Sequence, residues 1–285
     1  MAGRAVVLGP GGPAGTAWLA GLAAGLRHEG VNLGDADLIV GTSAGAIVGA
    51  ILASGDDPAR LAGPPALPDL GGVRTDPRTL AAVFATLGDP ALSRAEALRR
   101  VGRLAVTAST GEQEAAVARM RFLIGTEKWS DRPLLIPSVD AATGTAMMWD
   151  RHGTASLAQA VAASTAFPAT APPVTINGRR YIDGALRAGS NADLAGTADL
   201  VIIIEPAAHA FGPASAAAGD AADTEAIVRL IRTPGRSRPS ARTSPTSPAG
   251  VPHTRPASGK LPAPPSASGR APARKPAARP RLDRG

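Results

Sequence analysis

The sequence predicts an α/β fold with a mostly parallel central sheet, followed by a C-terminal tail that stays disordered. Three observations carry this reading. Strand, turn and helix follow one another twice within the first 55 residues, the order that builds parallel βα units. Further apolar runs at 133–140, 145–150 and 199–205 alternate with stretches of helical character. Beyond Phe211 the composition breaks: residues 232–285 hold 12 Pro, no aromatic residue and no Ile, too little apolar surface to offset the entropy of ordering.

Residues 4–8 (RAVVL) form the first expected strand, followed by the glycine-rich GPGGPAG of 9–15 and a helix from Thr16 to Arg27, with Gly30 as its stop. DLIV at 37–40 is a second strand, and GTSAG turns it into a small-residue helix over 44–54. Residues 56–92, rich in Pro, Gly and Asp, read as a loop with short helical pieces. Capping boxes at Ser93/Glu96, Thr110/Gln113 and Ser156/Gln159 open helices ending near Thr107, Ile124 and Ser164. Asn177-Gly178 between two β-prone runs predicts a hairpin closing on Asp183. Residues 199–205 (DLVIIIE) make the last buried strand, and ADTEAIVRLIR predicts an amphipathic helix within 212–231. The expected organisation is therefore a folded domain over 1–211, a terminal helix within 212–231 and a basic Pro/Arg/Ser/Ala-rich tail over 232–285.

Apolar residues make up 44% of the chain and permit a sizeable core, but aromatics are only 3%, so that core must be aliphatic with closely approaching backbones. The chain has no Cys, which excludes disulfides, thiolate metal sites and thiol nucleophiles. It also has no apolar run long enough for a signal-peptide core or a membrane span, so a cytoplasmic protein is expected. Of 30 basic and 23 acidic residues, 12 and one lie from Arg232 onward. The preceding residues carry 18 and 22, so the body is mildly acidic and the net charge of +7 belongs to the tail. Without aromatic residues the tail lacks a stacking platform, and no specific nucleic-acid partner is expected.

GTSAG (41–45) fits the nucleophile elbow G-x-S-x-G, in which a sharp strand-to-helix turn lifts a serine hydroxyl clear of the sheet while small residues at Gly41 and Gly45 let strand and helix approach. On that reading Ser43 is a nucleophile; on the plainer one it caps a helix. Gly11 and Gly12 offer backbone N–H groups suited to an oxyanion, whereas Pro13 has none. The same loop is open to reading as a structural turn, but it matches neither G-x-G-x-x-G nor a phosphate loop ending in Gly-Lys. A nucleophilic serine needs a base. None of the four His (28, 152, 209 and 253) sits in a recognisable triad context, and Asp183, followed by Gly184 and Ala185 at a strand end, is the better candidate. His152 is the alternative base, for a Ser-His hydrolase or acyltransferase. A basic-tail binding protein and an inactive relative are the readings outside catalysis.

Taken in order, the Gly-rich loop, GTSAG and Asp183-Gly184-Ala185 resemble the patatin-like phospholipase family, together with VDA at 139–141, AVAASTAFPATAPPV at 160–174 and INGRRYIDGALRAGSNADLA at 176–195. The resemblance spans about 4–211. It implies a three-layer α/β/α fold, a Ser43–Asp183 dyad, an oxyanion hole from Gly11 and Gly12, and a lipid or acyl-ester substrate met in transient contact with a membrane surface. It implies no metal and no cofactor. The loop departs from the family's Gly-Gly-Gly-x-Arg/Lys-Gly pattern, reading Pro10-Gly11-Gly12-Pro13-Ala14-Gly15.

Overall fold

Pleating sorts β1 (Arg4–Leu8) onto two faces: Val6 and Leu8 join one apolar cluster, Ala5 and Val7 another. The same division runs through β2 (Leu38–Gly41), whose Ile39 and Val40 fall into opposite clusters, and it builds three layers. The computed structural model describes residues 3–61, 74–196, 198–207 and 227–232. The expected disordered tail at 233–285 lies outside them.

On the Leu8 face pack α1 (Gly12–His28), α2 (Ala44–Ser54), α5 (Gln113–Ile124) and α6 (Leu157–Ser164). Every residue of α2 from Ala44 to Ala53 is buried, as expected of a helix that is apolar all round and enclosed by neighbours. The other face is covered by α3 (Pro77–Leu87), α4 (Arg94–Thr107) and α7 (Ala185–Ala188), whose Val83, Val101 and Leu186 meet Val139 and Ile182 of the sheet.

The sheet runs β5-β6-β3-β2-β1-β7-β8, with β3 (Leu134–Asp140), β5 (Val174–Ile176), β6 (Arg179–Asp183) and β7 (Leu200–Glu205); β4 (Ala146–Trp149) pairs with β3 off this path. The parallel pairings are β3-β2, β2-β1 and β1-β7, while β4, β5, β6 and β8 (Ile227–Arg232) are antiparallel to their neighbours. The sheet is therefore mixed, parallel only at its centre. The β5–β6 turn has positive φ at both Asn177 (51°) and Gly178 (74°), the geometry that an Asn-Gly hairpin demands.

Three expectations are corrected. Helix α1 starts at Gly12, not Thr16, because Pro13 has no N–H to lose in a first turn; the glycine loop is thus partly the helix itself. Helix α5 is capped by Glu112 rather than Thr110, and the Gln113 carboxamide oxygen accepts from the Thr175 N–H instead of closing a capping box. The terminal helix expected within 212–231 gives way over 227–232 to strand β8, which supplies the backbone partners that an edge strand β7 would lack.

Candidate active site

Two strand ends and one hairpin end converge. β1 runs into Gly9 and the start of α1, and β2 runs through Thr42 and Ser43 into α2. The two turns are tied together, with Thr42 N–H donating to Leu8 O at 3.0 Å and Gly45 N–H to Gly9 O at 3.2 Å. A Cβ at Gly45 would overlap the Leu8 carbonyl oxygen, and one at Gly41 would stand 2.6 Å from Gly45 O, so both glycines are required by the close approach of backbones. Ser43 itself sits at φ 54°, ψ −115°, a conformation costing about 1–3 kcal/mol that is held by this packing.

The structure brings Ser43 and Asp183 together across 140 residues of sequence. Ser43 Oγ donates to Asp183 Oδ2 at 2.8 Å, and the Ala185 N–H donates to Asp183 Oδ1 at 2.8 Å. Gly184 follows the carboxylate in close contact with β3, where a Cβ would overlap the Pro137 carbonyl oxygen. The pair is secluded: Ser43 is 8% exposed and Asp183 1%. Burial without a cationic partner pushes the Asp183 carboxyl up to about 7, only partly opposed by the Ala185 and Ser43 hydrogen bonds.

Asp140, on the neighbouring strand, shows what a partner does. Burial would raise it as well, but hydrogen bonds from Arg179 (Nε to Oδ2, 2.7 Å) and Thr143 outweigh that and hold it below the usual carboxylate range. Of these two buried aspartates, Asp140 is a fixed charge that organises a turn, and Asp183 is the one able to exchange a proton near neutrality.

This shift has a consequence for stability. With an unfolded value of 3.8 and a folded value of about 7, Asp183 costs nothing below pH 4; the cost grows through pH 4–7 and levels off above, reaching at most about 4 kcal/mol. Asp183→Asn is therefore expected to raise the melting temperature at pH 8 and to change it little at pH 4. Equal shifts at both pH values in thermal melts would contradict the burial argument.

Gly11 and Gly12 stand at the start of α1, and a Cβ added at Gly15 of that helix would lie 3.9 Å from the Ala44 Cβ. Gly12 has φ 59° and open space where a Cβ would point. Neither the Gly11 nor the Gly12 N–H, nor that of Ala44 at the first position of α2, has an acceptor among the described residues. The Ser43 N–H is already committed, donating to Ser164 Oγ at 3.1 Å. The N–H groups of Gly11, Gly12 and Ala44 therefore stand without an acceptor among the described residues, at two helix N-termini whose dipoles favour negative charge.

Among the described residues no histidine takes part in these contacts. His28 ends α1, and His152 lies in an exposed turn after β4, where its Nε2 accepts from Arg151 Nε at 3.3 Å. His209 and His253 lie outside the described residues. Among those residues no group of three or more His, Asp or Glu could hold a metal ion, and no helix is long and apolar enough to cross a membrane. A cavity of about 690 Å³ lies elsewhere, between α4 and the β5–β6 turn, lined among others by Gly102, Val106, Asp140 and Arg179.

Two residues were missed by sequence reasoning. Ser164 bridges the halves of the site: its Oγ accepts from the Ser43 N–H and its carbonyl from the Gly184 N–H at 3.4 Å. Asn191, fully buried, donates to Thr42 Oγ1 and to Gly184 O. Neither carries a local signal, since each reaches one partner more than a hundred residues away.

Residues 67–195, just under half of the chain, match the family model of the patatin-like phospholipases. The match includes Asp183 and ends beyond Asn191; Ser43 and the glycine loop precede it and join the site through the fold. None of the curated proteins compared matches the sequence. Among solved structures, VipD from Legionella pneumophila is similar, at 15% identity and a TM-score of 0.37, over 65% of this chain and 46% of that one, so the chain spans less than half of its length. Residues 67–195, which carry the Asp183 hairpin, are thus the part of the chain that is similar to the patatin-like phospholipases.

Proposed function

We propose that this protein hydrolyses carboxylic esters of lipids through a Ser43–Asp183 dyad. The observation that carries the reading is the 2.8 Å hydrogen bond from Ser43 Oγ to a buried carboxylate that titrates near neutrality. Ser43 Oγ attacks the ester carbonyl while its proton passes to Asp183 Oδ2. Charge on the resulting tetrahedral oxygen is met by the N–H groups of Gly11 and Gly12, with that of Ala44 as a further donor. Collapse breaks the bond to the leaving alcohol, which takes the proton from Asp183, and leaves Ser43 acylated. Water then attacks the acyl carbon, giving its proton to Asp183 and its hydroxyl to the acyl group, and Ser43 recovers the proton as the fatty acid departs. The lipid nature of the substrate rests on the likeness of residues 67–195 to the patatin-like phospholipases.

Asp183 works as a base only when ionised. Activity is therefore expected to rise with pH through about 7 and to fall about tenfold per unit well below it. The test is fatty-acid release from phosphatidylcholine vesicles and from a short-chain aryl ester, followed between pH 5 and 9. Release of fatty acid with that ascending limb supports the reading. An absence of release from both substrates, or a profile flat across this range, contradicts it.

A further inference from the structure

Ser43 and Asp183 are not held together by the sheet's own hydrogen bonds. In the strand order β6-β3-β2, β3 stands between the strand that ends in Asp183 and the strand that leads to Ser43. The 2.8 Å separation of the two groups must therefore be set by contacts made beyond the ladder.

Building on the dyad reading, we propose that Asn191 is a positioning residue for the Ser43–Asp183 pair, joining the residue before the nucleophile to the residue after the base through one carboxamide. Asn191 Nδ2 donates to Thr42 Oγ1 at 3.0 Å, to Gly184 O at 3.1 Å and to Gly189 O at 3.1 Å. Two N–H hydrogens serve three acceptors, so one hydrogen is shared. Thr42 completes the link by donating its own hydroxyl hydrogen to Ser190 O at 3.2 Å.

The orientation of the carboxamide is also fixed. Arg187 Nη1 contacts Asn191 Oδ1 at 2.9 Å, and a guanidinium only donates, so the oxygen must face Arg187 and the amino group must face Thr42 and Gly184. Arg187 is in turn fixed by two hydrogen bonds to Asp193, at 2.9 and 2.6 Å. Asn191 adopts φ 59°, ψ 36°, a left-handed conformation that asparagine tolerates better than most residues and that turns its side chain back onto the site. Both Thr42 and Asn191 are wholly buried, so water does not stand in for either partner.

The link acts on geometry and touches no substrate, so its loss should affect the chemical step more than binding. The test compares Asn191→Ala, Thr42→Val and Thr42→Ser with the wild type and with Ser43→Ala, measuring kcat and KM on a soluble ester together with melting temperature. Asn191→Ala and Thr42→Val are expected to lower kcat by roughly 10- to 100-fold with KM nearly unchanged, as for a small misplacement of reacting groups. Thr42→Ser keeps the hydroxyl and is expected to retain most of kcat. Because valine matches threonine in shape, the Thr42 pair decides the matter even where Asn191→Ala does not fold. Near-wild-type kcat in Thr42→Val, or equal losses in Thr42→Val and Thr42→Ser, overturns the positioning role. Turnover that persists in Ser43→Ala overturns the dyad and the positioning role together, whereas its loss there with Thr42→Val unaffected overturns the positioning role alone.

Discussion

Ser43→Ala and Asp183→Asn are each expected to lower turnover on an acyl ester by at least about 1000-fold, because removing either partner of a nucleophile–base unit disables the whole unit. The two losses differ in kind. Ser43→Ala removes the atom that forms the acyl-enzyme, and no pH restores it. Asp183→Asn keeps the shape, but its one carbonyl oxygen replaces two acceptors and it cannot take up the Ser43 proton, so the residual rate should lose its inflection near pH 7. Both variants should fold, and Asp183→Asn should be the more stable protein above neutrality, since it removes a buried carboxylate with no cation beside it. The double variant should be scarcely slower than the worse single one, because residues that act as a unit are not additive. Steady-state kinetics of the four proteins checks all of these outcomes. A product of the two single effects in the double variant would mean that the residues act independently.

Gly45→Ala is expected to have the largest effect on stability, several kcal/mol and enough to abolish folding in a domain of ordinary marginal stability. The added methyl group would overlap the carbonyl oxygen of Leu8 at the carboxyl end of β1. Nothing there is free to yield, because β1 is hydrogen-bonded on both sides, to β2 and to β7. Relief would require α2 to move away from the sheet, breaking the Gly45–Gly9 hydrogen bond and opening the core around Ile47 and Ile51. Gly12→Ala is the contrasting case: its side chain would meet no atom within 4 Å, and the strain of φ 59° is its main cost. Recovery of soluble protein and its circular dichroism distinguish the two. A Gly45→Ala protein with native spectrum and unchanged melting temperature would contradict the packing described around the elbow.

What could be read from the residues alone follows the range of the interactions involved. The strands at 4–8, 134–140 and 200–205 announce themselves by short apolar runs, and the Asn177-Gly178 turn by two residues that tolerate positive φ. The elbow was legible as a five-residue pattern, although the crowding that requires Gly45 comes from Leu8 on the neighbouring strand. The start of α1 was misread because glycines suggest a loop, whereas Gly12 and Pro13 are the first turn of the helix. β8 was misread because the spacing of Ile227, Val228, Leu230 and Ile231 suits a helix face, while the deciding factor, an edge of β7 in need of a partner, lies outside the segment. The links through Ser164 and Asn191 left no trace in the sequence: they span 121 and 149 residues, and a buried serine at a helix end or an asparagine in a turn has many commoner explanations.

Ser43 acts, on the proposed mechanism, as an activated nucleophile. The most direct test is reaction of the purified protein with a fluorophosphonate, followed by mass-spectrometric mapping of the labelled peptide. The prediction is a single adduct on Ser43, absent from Ser43→Ala and formed far more slowly in Asp183→Asn. An adduct on another serine, or labelling that persists undiminished in Ser43→Ala, would contradict it.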